Sequence, residues 1–263
     1  MVDLAYVFAG FFVGVVVGLT GVGGGSLMTP ILIFFFGVKP YMAVGTDLLF
    51  AAFTKMGGTV SFARQRIVPW RVVGWLSVGS IPAALMTLAA LHWIGPANPQ
   101  VQSVMTYSLG LALLLTAAAM FYKTIRGKQL PASLGATDQA RATQPRHWSL
   151  PVLFGALIGV LVTLTSVGAG AIGVSALLLL YPLLPLPRIV AADIAYAVPL
   201  TLVAGLGHAS LGSVDWPLLA KLLVGSLPGI WLGSRLTHLT PDRVIRSLLS
   251  LLLAWAGTKL VLI

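Results

Sequence analysis

Long apolar runs separated by short polar stretches dominate the hydropathy pattern of this chain. Six runs approach the roughly 20 residues that cross a hydrocarbon layer as a helix. They cover residues 4–19, 72–91, 101–122, 191–211, 218–236 and 244–262. Inside lipid every backbone polar group needs a partner, and a helix supplies these partners within a single segment. The pattern therefore predicts an all-α, polytopic membrane protein.

Composition supports this class. The chain is 58% hydrophobic and 8% charged, whereas a soluble domain carries about 25% charged residues. No basic stretch precedes the first apolar run and no Ala-x-Ala site follows it, so we expect no removable signal peptide. The sequence contains no cysteine, which excludes disulfides, thiolate chemistry and thiolate metal sites.

The two halves of the sequence correspond to each other. Residues 19–25 (Leu-Thr-Gly-Val-Gly-Gly-Gly) match residues 164–170 (Leu-Thr-Ser-Val-Gly-Ala-Gly) at an offset of 145. Asp47 then matches Asp193. The organisation predicted is a first transmembrane repeat at 1–122, a polar linker at 123–148 and a second transmembrane repeat at 149–263. A duplicated apolar chain with a glycine-rich break in each half is typical of secondary transporters.

A short apolar piece follows each glycine break, at residues 27–36 and 172–181. Ten to twelve helical residues reach only about 18 Å, roughly half of the membrane. If the break interrupts one continuous crossing, each half crosses four times and the repeats are parallel. If the chain turns back at the break to form a V, each half crosses an odd number of times and the repeats are inverted.

Charge distinguishes these two topologies. The formal net charge is +10, and the basic residues concentrate at 64–71, in the linker at 123–146 and at 235–246, whereas the turns at 91–100 and 212–216 contain none. Cytoplasmic loops carry the excess of Lys and Arg, and only inverted repeats place all three clusters on that side. We therefore predict two inverted-topology repeats, each with a glycine-rich broken or re-entrant helix pair. Topology and contact with lipid headgroups account for the charge better than nucleic-acid binding does.

The glycine breaks are also the predicted binding site. Glycine lets backbone N–H groups converge on a ligand, and the helix that follows presents its positive N-terminal end. Two breaks facing each other would form a cradle for a small anion. Its predicted members are Thr20, Gly21, Gly23, Gly24, Gly25 and Ser26 from the first half, and Thr165, Ser166, Gly168 and Gly170 from the second. Gly-xxx-Gly spacings elsewhere are interpreted as close helix packing, within the chain or in a homodimer.

Ionisable residues within apolar segments extend this prediction. Lys55 lies in the run 48–62, where an unpaired ammonium costs at least about 2.5–3.5 kcal/mol. It either faces the substrate or a counter-charge, or it snorkels toward the basic residues at 64–66. Asp47 and Asp193 are interpreted as helix caps or, alternatively, as gating or proton-linked residues. His208 either titrates in transport or is a buried, hydrogen-bonded histidine.

Together these motifs resemble the TauE/SafE sulfite exporter family. The resemblance rests on Gly-Leu-Thr-Gly-Val-Gly-Gly-Gly-Ser at 18–26 with Thr29-Pro30 behind it, Val-Gly-Thr-Asp at 44–47, Gly-Leu-Gly-His at 205–208, and paired Gly-Ser-x-Pro elements at 79–82 and 225–228. It implies a permease of the bacterial inner membrane that moves sulfur-containing anions, commonly outward. Ser166 and Ala169 replace glycines of the first break, so the second break is expected to hold the anion less closely.

The predicted function is a membrane permease that exports sulfite, thiosulfate or an organosulfonate by alternating access. The alternative is an importer or exporter of another small organic anion, such as a carboxylate, on the same scaffold. An intramembrane enzyme is disfavoured because the chain contains no glutamate and lacks His-Glu-x-x-His, Gly-x-Ser-Gly and Gly-x-Gly-Asp motifs. We expect membrane lipid and a small anion as partners, and no metal, cofactor or nucleic acid.

Overall fold

The computed structural model describes residues 2–20, 25–126, 148–168, 170–236 and 242–262. These residues form ten α-helices and no strand, which confirms the all-α prediction. The first half contains α1 (Val2–Thr20), α2 (Gly25–Phe36), α3 (Pro40–Arg64), α4 (Trp70–Ile94) and α5 (Pro99–Arg126). The second half contains α6 (Ser149–Thr165), α7 (Ala171–Leu180), α8 (Leu186–Ser210), α9 (Trp216–Leu236) and α10 (Asp242–Val261).

The helices have the lengths and surfaces of membrane segments. Among the described residues, four stretches are long and apolar enough to cross a membrane, namely Trp70–Ile94, Pro99–Phe121, Leu186–Ser210 and Trp216–Leu236. Large apolar side chains such as Phe8, Met86 and Leu251 lie exposed on the outside, as expected for a lipid-facing surface. The short helices α2 and α7 contain 12 and 10 residues, in agreement with the half-length pieces predicted after each glycine break.

Proline and glycine set several helix boundaries. Pro40 and Pro187 lie in the first turns of α3 and α8, where the missing N–H costs nothing. Gly95, with φ 89°, follows the end of α4 and occupies a backbone conformation that favours glycine.

The two aspartates are not helix caps, so the capping interpretation was wrong. The N-cap residues of α3 and α8 are Lys39 and Pro185, whereas Asp47 and Asp193 lie about two turns further along the helices and are buried. The apolar pattern alone suggested later helix starts, because the first turns of α3 and α8 are less apolar than the segments that follow. Proline at the start of each helix is the signal that marks the true boundary.

Glycine stripes hold two pairs of parallel helices together. A Cβ added at Gly10, Gly14 or Gly18 of α1 would overlap the backbone of α9 at Leu222, Ser226 and Ile230 in turn. Gly155 and Gly159 of α6 meet α4 at Leu76 and Ser80 in the same way. Because residue numbers rise together in both pairs, α1 runs parallel to α9 and α4 runs parallel to α6. The predicted packing role of the Gly-xxx-Gly spacings is confirmed, and these stripes face helices of the same chain.

The helices that correspond between the halves run in opposite directions. Gly45 near the start of α3 contacts His208 near the end of α8, whereas Gly58 near the end of α3 contacts Ile194 near the start of α8. In the α5–α10 pair, Gly110 lies against Leu260 and Gly257 lies against Leu114. If the chain turns back in a V at each glycine break, corresponding helices of the two halves should be antiparallel. If each break interrupts one continuous crossing, these helices should be parallel. The helix directions therefore favour the V.

Candidate functional site

The described residues of the second glycine break, all except Ala169, form a buried turn between α6 and α7. Ser166 has φ 59° and Gly168 and Gly170 have φ values of 134° and 139°, a left-handed region that costs a residue with a Cβ on the order of 1–2 kcal/mol. Thr165 Oγ1 lies 2.6 Å from the Leu161 carbonyl oxygen and accepts a hydrogen bond from the Val167 N–H at 3.1 Å. The Thr165 hydroxyl therefore stabilises the turn itself.

The first glycine break lies outside the described residues. This applies to the predicted ligands Gly21, Gly23 and Gly24, and nothing is described for the side chains of Thr20 and Ser26. Gly25 and Ser26 form the first residues of α2. The prediction that both breaks hold one anion thus remains a prediction.

Asp47 lies at the centre of a cluster of polar side chains beside the second glycine break. The residue is fully buried, and Thr29 Oγ1 on α2 donates a hydrogen bond to Asp47 Oδ2. Ser166 also lies beside the Asp47 carboxylate, without a hydrogen bond of normal geometry. The structure thereby brings together two predicted residues, Asp47 and Ser166, from opposite halves of the sequence.

Asp193 occupies the corresponding position in the second half. Its carboxylate packs directly against Gly173 of α7, where an added Cβ would overlap Asp193 Oδ1. The Gly173 N–H donates to the Gly168 carbonyl at 2.9 Å. The second break is therefore connected to Asp193 through the first turns of α7, as it is to Asp47 through Ser166.

Lys55 lies between the two aspartates along the α3–α8 crossing. Two contacts between α3 and α8 lie on either side of it along α3: Leu49 contacts Gly205, and Gly58 contacts Ile194. The side chain is 5% exposed, which excludes snorkelling toward Arg64. Lys55 interacts electrostatically with both carboxylates, more strongly with Asp193 than with Asp47. Its counterpart in the second half, Thr201, is buried and donates to the Ala197 carbonyl at 2.8 Å.

His208 is a buried residue that joins α8 to α6. Its Nε2 lies 2.9 Å from the Thr163 carbonyl oxygen, and because a carbonyl can only accept, Nε2 carries a hydrogen. The His208 Cβ also packs near Gly45, two residues before Asp47. Of the two alternatives for this residue, the structure shows the buried, hydrogen-bonded arrangement; participation in transport is untested.

Three residues of this cluster were missed as site candidates. Thr29 contacts the Asp47 carboxylate, and Gly173 contacts the Asp193 carboxylate. Tyr196 lies between Asp193 on its own helix and Ser80 on α4. The sequence offered one signal, since Thr29 belongs to the Thr-Pro pair that supports the family resemblance. Over the described residues no group of three or more His, Asp or Glu side chains could hold a metal ion.

Comparison with known proteins identifies the family. The family described as "Sulfite exporter TauE/SafE" matches residues 6–260. This chain belongs to the TauE/SafE family. It is also similar to "Probable membrane transporter protein YjnA" of Bacillus subtilis (strain 168), with 34% identity over 98% of this chain and 100% of the relative. "Probable membrane transporter protein YdhB" of the same organism is 27% identical over 95% of this chain and 97% of that relative. No solved structure matches the chain significantly.

Family membership and the apolar helices establish the class of the protein. It is a multi-pass membrane transporter and not an enzyme. The central cluster of Lys55 with two buried carboxylates is the strongest candidate for its functional site, because ionisable residues inside membrane segments are costly and mark substrate or ion pathways.

Proposed function

We propose that this transporter exports small sulfur-containing anions, such as sulfite, thiosulfate or organosulfonates, by alternating access. The observation that carries the proposal is the buried Lys55 at the α3–α8 crossing, which interacts with the two carboxylates next to the second glycine break. Lys55 interacts with both carboxylates, and ionisable residues inside membrane segments mark substrate or ion pathways. The printed description of the family, sulfite exporter, supports a sulfur oxyanion as the substrate of this pathway.

The substrate path follows from the charge distribution. In the bacterial inner membrane, the basic loops and the central linker would face the cytoplasm and attract anions, with Arg64, Arg66 and Arg71 nearest to the α3–α4 turn. N–H and hydroxyl donors of residues 20–26 and 165–170 would hold the anion, and Lys55 would provide its positive charge. Antiparallel α3–α8 and α5–α10 pairs support inverted repeats, whose exchange of conformation opens the site alternately to each side.

Anion-dependent thermal stabilisation of the detergent-purified protein tests the proposal. The panel comprises sulfite, thiosulfate, sulfoacetate, sulfate, acetate and chloride. A ligand at a hundred times its Kd adds about 2.7 kcal/mol to the free energy of unfolding, so a selective shift in Tm is measurable. We expect sulfite, thiosulfate or sulfoacetate to stabilise the wild type and to lose this effect in Lys55→Ala.

Two further variants make the result specific. Lys39→Ala removes the same charge at an exposed position before α3, and should retain the stabilisation. Lys55→Gln keeps a polar side chain at this position. This variant should lose the anion-dependent stabilisation even if Lys55→Ala folds poorly. A flat response of the wild type to the sulfur anions would overturn the substrate class. Selective stabilisation by acetate would favour a carboxylate carrier instead.

A further inference from the structure

The buried charges at the α3–α8 crossing do not balance. In the part of the chain that the structure describes, the charged side chains that are buried are Asp47, Lys55 and Asp193. With all three ionised and His208 neutral, the cluster carries one net negative charge. A monovalent anion would double this charge in a region shielded from water, where uncompensated charge is most costly. Anion binding at this place therefore requires a compensating positive charge.

The surroundings of Asp47 allow it to supply this charge by taking up a proton. Of the two carboxylates, Asp47 interacts less strongly with Lys55. Thr29 donates to Asp47 Oδ2, whereas among the described residues neither Asp47 Oδ1 nor Ser166 Oγ has a hydrogen-bond partner. If Asp47 Oδ1 carried a proton, it would donate a hydrogen bond to Ser166 Oγ, and both atoms would then have a hydrogen-bond partner. The Asp47 site thus fits a neutral carboxylic acid.

Titratable residues on the helices around Asp47 are the other candidates for the proton. The side chains described on α2 and α6 include none. The helices α8, α9 and α5 contact α3, and their described titratable side chains are Arg188, Asp193, Tyr196 and His208 (α8), Lys221 and Arg235 (α9, with Asp215 just before it) and Tyr107 (α5). On α3 itself they are Tyr41, Lys55 and Arg64, with Lys39 before it. His208, which packs near Gly45, is the alternative proton carrier that the test must separate from Asp47.

We infer that one proton travels with each anion and that Asp47 carries it. This inference rests on the proposed function. The loaded site holds the anion with a protonated Asp47, and the returning site is empty with an ionised Asp47, so both states have the same charge. One cycle then moves one monovalent anion and one proton in the same direction. The substrate and proton gradients, and not the membrane potential, would determine the direction of transport.

Proteoliposomes loaded with a pH-sensitive dye test the coupling. The probe is methanesulfonate, a monovalent sulfonate without a titratable group in the working range. In the wild type we expect proton flux to accompany methanesulfonate flux, one for one, and the anion flux to be unaffected by an imposed potassium diffusion potential. In Asp47→Asn the anion flux should continue, lose its proton flux and become driven by the potential.

Matched variants locate the proton. Asp215→Asn makes the same chemical change at the carboxylate whose Oδ1 accepts from the Leu218 N–H at the start of α9, and should behave as the wild type. His208→Gln should also retain proton flux; its loss there, with retention in Asp47→Asn, would overturn the assignment to Asp47. Anion flux without proton flux in the wild type would overturn the coupling. The absence of methanesulfonate flux would overturn transport of sulfonates, and the inference with it.

Infrared spectroscopy gives a readout that does not depend on flux. The C=O stretch of a protonated carboxyl should appear when methanesulfonate is added to the reconstituted wild type, and it should not appear in Asp47→Asn. Asp193→Asn should retain the band. A band that persists in Asp47→Asn and disappears in Asp193→Asn would assign the proton to the other carboxylate and overturn this one.

Discussion

The two buried aspartates occupy corresponding positions but have different neighbours. Asp47 receives a hydrogen bond from the Thr29 hydroxyl, and Asp193 packs against the backbone of Gly173. The Thr29 hydroxyl can follow a change in the charge of Asp47 by reorienting. This arrangement fits a titrating group at Asp47.

Replacing Gly173 tests the packing around Asp193. The methyl group of Gly173→Ala would overlap the Asp193 carboxylate, and displacing this buried group should cost about 1–3 kcal/mol. Gly74→Ala, also within a helix, places its methyl in open space and should be neutral or stabilising by up to about 1 kcal/mol. Thermal unfolding in detergent measures both. Equal Tm values for the two variants would contradict the close contact between Gly173 and Asp193.

At the scale of elements, the α3–α8 helix pair forms the buried centre of the molecule. These two antiparallel helices carry Asp47, Lys55, Asp193 and His208, and residues of both lie in the hydrophobic core. The parallel pairs α1–α9 and α4–α6 each join one helix from either half. Each helix of these pairs therefore depends on the other half for its closest packing.

Two glycines of α3 allow the crossing to be tested. A methyl at Gly45 would overlap the Ser213 carbonyl oxygen, whereas a methyl at Gly57 meets nothing within 4 Å. Both residues lie within the same helix, so replacing either glycine by alanine gives the same gain in helix propensity, up to about 1 kcal/mol. We expect Gly57→Ala to raise Tm and Gly45→Ala to lower it, with a loss of about 1–3 kcal/mol. If Gly45→Ala is as stable as Gly57→Ala, the helices do not approach at this position.

At the scale of the whole molecule, inverted topology makes a prediction about accessibility. Gln65 and Ser210 are exposed residues at the α3–α4 and α8–α9 turns, which correspond between the two halves. Because the native sequence contains no cysteine, Gln65→Cys and Ser210→Cys each introduce a single label site. A membrane-impermeant maleimide added to intact cells should label Ser210→Cys and should label Gln65→Cys only after permeabilisation. Labelling of both from the same side would contradict inverted repeats.

The sequence predicted those features of the molecule that depend on local pattern. Apolar runs and the breaks beside Thr20 and Thr165 depend on neighbouring residues only, so the all-α class and the short helices α2 and α7 were predicted. The interaction of Lys55 with Asp193 could not be predicted, because it depends on the antiparallel approach of two helices distant in sequence. Asp47 was misread as a cap because an apolar pattern locates the buried part of a helix and not its first turns.

The packing of α1 along α9 has a consequence for biosynthesis. Gly10 contacts Leu222, and the ribosome adds the roughly 210 residues between them at about 5–20 residues per second. The first helix to emerge therefore waits about 10–40 seconds for its closest neighbour. During this interval its glycine face is covered only by lipid or by the insertion machinery. Neither half synthesised alone should reach its native arrangement, whereas the two halves produced together as separate chains should be able to assemble.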